Sequence, residues 1–361
     1  MRRRVAGTVL TLALLVTPLL GCSDEEPVTA APTPVQTPTP TPSVPSKPSL
    51  VRYVSPTGSD HDRGTLGQPW RTLGYALSRV YGGQVLFVRG GEYHENIDHV
   101  PLHVGKAESP VTVLAYPGEN PVLIGSISLH RPAYWLIDDL DVTGDPTTPD
   151  PPRFMVKMIG GRSWTWENSE FRGTTSRANV LITGFGVDEP AGFDFRGNCL
   201  HGLPDLPTTS TNLFLGTMHS GAHGIVSRNV VFNAENQPNV RIGSGAGAPN
   251  RVSLLRNTIY GGSLGIDVRG HPHRVKISRN IVGGSAAPAM IRFHLGLPHG
   301  TSVNNNVAVD AAQLLRPEVR KIVHGSGNIV LSSDPEFVDN SRCDGFRSDL
   351  DAMIPYGAVG Q

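Results

Sequence analysis

The sequence predicts an all-β fold of short strands stacked coil upon coil, and three observations predict it. An asparagine recurs at Asn168, Asn198, Asn229, Asn257, Asn280, Asn306 and Asn328, at intervals of 22 to 31 residues. The clearest copies carry short apolar runs, as in Arg228-Asn229-Val230-Val231-Phe232, Arg256-Asn257-Thr258-Ile259-Tyr260 and Arg279-Asn280-Ile281-Val282. A period of this length, with no helical repeat inside it, marks a solenoid whose neighbouring units bury a shared core. The chain also holds 41 Gly and 31 Pro among 361 residues, and both types break long helices.

Composition narrows the function as well. Basic and acidic residues number 31 each, so the chain lacks the charge excess of a nucleic-acid platform or an acidic solvating chain. No nucleic-acid partner is expected. The same composition excludes a coiled coil and a multi-span membrane protein.

The first element is an export signal at residues 1–21. Arg2, Arg3 and Arg4 precede an apolar stretch from Val5 to Leu20 that is short for a membrane span. It ends in Leu19-Leu20-Gly21-Cys22, which resembles the lipobox of bacterial lipoproteins. The resemblance implies that Cys22 becomes the lipid-bearing mature N-terminus, anchoring the protein outside the cytoplasm to the bacterial cell membrane. Loss of three arginines and no acids leaves 28 basic against 31 acidic residues, a net charge of −3. Residues 22–49 then repeat Pro-Thr-Pro with few large apolar residues, the composition of an extended tether.

The folded domain is expected over 50–361. Arg52 to Ser55 reads as a strand, Asp60 to Gly67 as a polar loop, and Pro69 onward as the start of a helix. Leu73, Ala76, Leu77 and Val80 form one apolar helical face before Gly82-Gly83, suited to capping the open end of a solenoid. Val85–Val88, Val111–Leu114 and Trp135–Ile137 begin the coils. In later coils a second run follows the asparagine, as in Asn239–Gly243 and Gly265–Arg269. Alternation there buries Val240, Ile242, Ile266 and Val268 and turns the residues between them outward. The asparagines are expected to stack as a side-chain ladder along the axis.

Several segments then resemble a known family. Tyr53-Val54-Ser55-Pro56-Thr57-Gly58-Ser59-Asp60, Gly64-Thr65-Leu66, Gln68-Pro69-Trp70-Arg71-Thr72-Leu73 and Val88-Arg89-Gly90-Gly91-Glu92-Tyr93 resemble the opening of pectate-lyase-like right-handed parallel β-helix proteins. Among these the chain is most similar to the family 9 polysaccharide lyase type. Ser333-Asp334-Pro335-Glu336-Phe337-Val338-Asp339 resembles the stretch that closes many such helices. The likeness implies a single-stranded right-handed parallel β-helix. It specifies the reaction poorly, because this scaffold hosts lyases, hydrolases, epimerases and non-catalytic proteins. The family 9 pattern implies a lysine base and aspartates around calcium. Here only Lys157, Lys276 and Lys321 lie among the repeats, and no aspartates recur at coil spacing to supply the 6–8 oxygens of calcium. Asp138, Asp139 and Asp141 cluster within one rung and read as a turn or loop edge.

The outward rows of the second run carry the candidate chemistry. One row reads Asn212 or Phe214, then Arg241, Asp267 and Arg292; the next reads Gly243, Arg269 and His294; the turn after Arg269 adds His271 and His273. Arginine forks suit carboxylates, so this face favours an acidic polysaccharide rich in uronate. In β-elimination a uronate carboxylate is neutralised and a base takes the C5 proton, and His294, His271 or His273 has the side chain for that step. Arg269, His294 and Asp267 are therefore the catalytic candidates, with Arg241, Arg292, His271 and His273 on the substrate. A cross-coil salt ladder of Arg241, Asp267 and Arg292 is the structural alternative, and a non-catalytic glycan-binding or cell-envelope protein the functional one. A polygalacturonase-like set, Asp138-Asp139 with His223 and Arg274-Val275-Lys276, is spread over too many coils to meet at one bond. Trp135, Trp164 and Trp166 are expected in the core rather than stacked on sugar. Cys199 is expected buried and Cys343 free, since a bridge needs the C-terminal tail to fold back across several coils. The protein is expected to be a monomer.

Overall fold

The computed structural model describes residues 50–145, 152–174, 177–184, 192–202, 210–219, 221–234, 236–244, 247, 249–285, 287–294, 299–321, 323, 325–333, 337, 339, 341–346 and 356–358. The signal, Cys22 and the tether lie outside the described residues, as does part of the closing Ser333–Asp339 stretch.

The described chain is a right-handed parallel β-helix. Its strands form a 10-stranded sheet and a 16-stranded sheet, and every strand pairing is parallel. The larger sheet has two arms that meet at the long Pro121–His130 strand, giving each later coil three faces. One coil shows the plan: Val252–Leu255 on the first face, Thr258–Tyr260 on the second, Leu264–Val268 on the third. Inward positions are Val, Ile, Leu and aromatic residues, and they fill one core running along the axis. Trp135, Trp164 and Trp166 belong to it, with Trp164 and Trp166 sharing an inward face.

The corner between first and second faces explains the recurring asparagine. Asp139, Asn168, Arg228, Arg256, Arg279 and Asn305 there have φ between 52° and 58°, and Gly197 and Gly327 take the corner in their coils. This left-handed residue swings the chain onto the second face and puts the next side chain inside. From Asn198 to Asn328 that next residue is always asparagine. Each side-chain oxygen accepts the backbone N–H of the preceding coil's asparagine, from Asn198→Asn229 through Asn306→Asn328. Asn168 is not a rung. It occupies the left-handed corner and donates to Asp138 Oδ1, and Ser169 fills the slot, donating its N–H to Asn198 Oδ1. A second buried ladder, Asn179–Asn212–Asn239, runs along the corner between second and third faces.

The helix at the N-terminal end is shorter than the apolar face extending to Val80 predicts. It spans Leu73–Leu77, with Thr72 as N-cap accepting from Tyr75 N–H and Ser78 as C-cap. Leu73, Ala76 and Leu77 are buried, and the helix lies against the end strands Val51–Val54 and Gly91–Ile97. The Glu95 carboxylate accepts the N–H groups of Leu73 and Gly74 at 2.7 and 2.9 Å, fixing the helix to the first coil. Among the described residues no helix is long and apolar enough to cross a membrane.

The expectation of a free Cys343 is corrected. Cys199 and Cys343 form a disulfide with Cα atoms 5.8 Å apart, closing 144 residues. The tail returns because it has apolar surface to bury: Phe346 packs on Phe232 and Tyr260, and Phe337 stands edge-on to Tyr260. These contacts form a core outside the coils, on the second face.

Candidate functional site

The third face settles the loose register. Lys157, Leu181, Phe214, Arg241, Asp267 and Arg292 are successive partners in one outward column, so Phe214 rather than Asn212 precedes Arg241. Arg269 and His294 follow Val268 and Phe293, which are themselves paired, and so stand side by side in the next column. Stacking at about 4.8 Å per coil gathers side chains 24 to 33 residues apart in sequence.

They gather around Asp267. Arg269 Nε donates to its Oδ2 at 2.7 Å, Arg292 Nε to Oδ1 at 2.9 Å, and His294 Nε2 lies 2.8 Å from Oδ1. The Asp267 side chain is 0% exposed although it points outward, because these three side chains cover it. Burial raises its carboxyl pKa, and the hydrogen bonds and charges of Arg292 and Arg269 outweigh that, holding it below the usual carboxylate range. An ionised Asp267 accepting at His294 Nε2 fixes the ring with the proton on Nε2 and the lone pair on Nδ1. Both arginines spend Nε on Asp267, so their terminal nitrogens remain for a ligand.

Arg241 does not join the Asp267 pairing that a simple salt ladder requires. Its Nη2 donates to Gln237 at 2.9 Å, its guanidinium lies 5.9 Å from the Phe214 ring, and its buried Nε has no hydrogen-bond partner among the described residues. Burial, and then the like charges of Arg269, Arg177 and Arg292, push its pKa down against the pull of Asp267. Three guanidiniums around one carboxylate leave about two positive charges uncompensated. Beside Arg292 and His294 opens a cavity of about 310 Å³, walled also by Leu264, Phe293, Arg316 and Val319.

His271 and His273 are placed elsewhere. Both are exposed, and His273 pairs through its backbone with Asn250 and His299 at the entry to the first face. Among the described residues neither touches the Asp267 group. The polygalacturonase-like set also stays apart, for Asp138 ends one first-face strand while His223 begins another three strands away.

The residues do not fit the calcium that the fold family suggests. Asp138 accepts from Asn168, and Asp141 accepts the Glu170 N–H at 2.8 Å, so both carboxylates are spent on bonds between neighbouring coils. Lys157 shares the column of Asp267 but stands four strand spacings, about 19 Å, from it. Among the described residues, two groups of three close ligand-type side chains occur. One is Cys199, His201 and Cys343, whose sulfurs are bonded to each other; the other is Asp98, His99 and His130. Neither is an all-oxygen set.

Comparison with known proteins agrees with this architecture. A family model described as the Pel9A-like right-handed β-helix region matches residues 52–186. The solved structure of pectate lyase Pel9A superposes with a TM-score of 0.59 at 14% identity, covering 86% of this chain and 87% of that one. The fold is thus that of a pectate-lyase-like β-helix protein. Two curated proteins align over shorter stretches. Uncharacterized protein YwoF of Bacillus subtilis is 41% identical over 73 residues, 20% of this chain and 15% of its own length. Pectate lyase PEL9 of Emericella nidulans is 32% identical over 93 residues, 26% of this chain and 22% of its own. The family match ends before the Arg241, Asp267 and Arg292 coils begin.

Proposed function

We propose that the protein acts on an acidic polysaccharide as a lyase, cleaving a uronate-containing chain by β-elimination at the Asp267 cluster. The observation that carries this reading is the excess of guanidinium charge around one buried carboxylate that also orients a histidine. The relatives named pectate lyase support the substrate class. The terminal nitrogens of Arg269 and Arg292 receive the uronate carboxylate and draw off its charge, which acidifies the C5 proton. His294 Nδ1 takes that proton, the C4–O bond breaks as the C4–C5 double bond forms, and the leaving oxygen gains its proton from water. Asp267 keeps the ring oriented and stabilises the imidazolium. Arg241 extends the cationic face to a neighbouring sugar. We also propose that Cys22 carries lipid and that residues 22–49 hold the domain away from the membrane.

The test is the ultraviolet absorbance of the unsaturated product with pectate, alginate and glycosaminoglycans. Absorbance should rise with at least one uronate polymer, and His294→Ala should lower the rate by about 10²–10⁴, the usual contribution of a positioned base. Binding without product on every polymer would replace the lyase with a glycan-binding protein.

A further inference from the structure

We propose a second site on the same face, a zinc-class transition-metal site formed by Asp98, His99 and His130. The three come from adjacent rungs. Asp98 and His99 follow the Gly91–Ile97 strand, and His130 ends the Pro121–His130 strand that pairs with it, Ile97 opposite Ile127. The ladder fixes His130, and Asp98 and His99 sit in the bend that leaves the strand directly after its last paired residue, Ile97.

The donor geometry suits a tetrahedral ion. His99 Nδ1 lies 3.0 Å from Asp98 Oδ2, and His130 Nε2 lies 3.8 Å from Asp98 Oδ1. Ligands at about 2.0–2.1 Å from zinc in tetrahedral array stand about 3.4 Å apart, and each imidazole is within about half an ångström of that distance from one or the other Asp98 oxygen. The ligand atoms of all three residues fall within 4.8 Å of one another. His99 has φ of 55°, and its ring stacks on His130 with centroids 5.0 Å apart and planes at 28°. Two imidazoles are thereby turned toward one carboxylate. The Asp98 carboxylate is braced by the His99 N–H at 3.0 Å, and Ser128 Oγ lies 3.2 Å from His130 Nε2. Metal binding replaces that Ser128 contact and leaves a fourth position for water.

Two imidazole nitrogens and one carboxylate oxygen form a mixed donor set suited to zinc, nickel or copper and poor for calcium or magnesium. Side-chain exposures of 78% for His99, 56% for Asp98 and 35% for His130 leave the ion an entry path. Lys157, opposite Ser128 on the next strand, opposes the added charge and limits affinity. The site is independent of the Asp267 cluster, five strand spacings or about 24 Å along the face.

The test is a Zn²⁺ titration of the full-length protein against a chromophoric chelator, with calcium in excess throughout. One equivalent should bind, and His99→Ala or His130→Ala should weaken it at least tenfold. Thermal melting without metal checks that these variants fold. His273→Ala serves as the control, since His273 and His299 form a separate exposed pair. It should leave the affinity unchanged. Equal zinc binding by the wild type and the His99→Ala/His130→Ala double variant, or loss only in His273→Ala, would overturn the assignment.

Discussion

Substituting Asn257 with alanine tests whether the asparagine ladder holds the coils together. Asn257 is 1% exposed and sits between Asn229 and Asn280. Its Oδ1 accepts the Asn229 backbone N–H at 3.0 Å and the Asn229 Nδ2 at 2.9 Å. Its Nδ2 donates to the Val226 carbonyl and to Asn280 Oδ1, each at 2.9 Å. Alanine removes all four bonds. Asn229 Nδ2 keeps the Phe195 carbonyl and Asn280 Oδ1 keeps the Asn257 N–H, whereas the Asn229 N–H loses its partner without gaining water. Four bonds at about 1 kcal/mol each, with a buried orphan costing about 1–3 kcal/mol more, put the loss at about 5–7 kcal/mol. A loss of 1 kcal/mol lowers Tm by about 2 °C at the large end of single domains, so a drop on the order of 10–15 °C is expected here. Differential scanning calorimetry reads it, with Ser253→Ala on the outward row of the same coil as control. An Asn257→Ala melting temperature within 1 °C of the control would refute the ladder as a stabilising element.

The disulfide and one acidic residue give further expectations. Cys343→Ser should release the tail that Phe337 and Phe346 dock, and closure of 144 residues is worth up to about 5 kcal/mol in the chain-entropy account. Proteolysis beginning after Val330 should accelerate in that variant and not in the oxidised wild type. Glu170 is held at about 2 by its hydrogen bond to His201, with help from Arg172 against the opposing effect of burial. Its unfolded value is near 4.3, so the unfolded chain binds more protons between these values and stability falls as pH drops from about 4.5 to 2. The gap corresponds to about 2–3 kcal/mol. Glu170→Gln should flatten that limb of the acid-unfolding curve, and an unchanged slope would contradict the pairing.

Much of the scaffold was legible because its signal is periodic. The Asn198-to-Asn328 repeat marks a real ladder, and alternation places Val240, Ile242, Ile266 and Val268 inside. Periodicity in residue type does not reveal which residue takes the left-handed corner, so Asn168 and Ser169 are confused by one position. The Asn179–Asn212–Asn239 ladder escapes notice because the turns between its coils vary in length. At the candidate site, alternation aims Arg241, Asp267, Arg269, Arg292 and His294 outward, and parallel stacking brings them to one face. It does not show that three of them bury Asp267, since coverage depends on side-chain conformations across coils. The Cys199–Cys343 bond was hidden for a related reason: tail return is decided by apolar surface on the second face, far away in sequence. His271 and His273 are near Arg269 in sequence, but the turn carries them toward the first face.

The most direct test of the Asp267 cluster as a site for acidic sugar compares galacturonan oligosaccharides that differ only in their carboxylates. Calorimetric titration of the full-length protein should show de-esterified oligosaccharide binding at least tenfold more tightly than its fully methyl-esterified form. Arg269→Ala and Arg292→Ala should each erode that preference. Equal affinity for the two forms, unchanged in both variants, would contradict the assignment of this face to a uronate carboxylate.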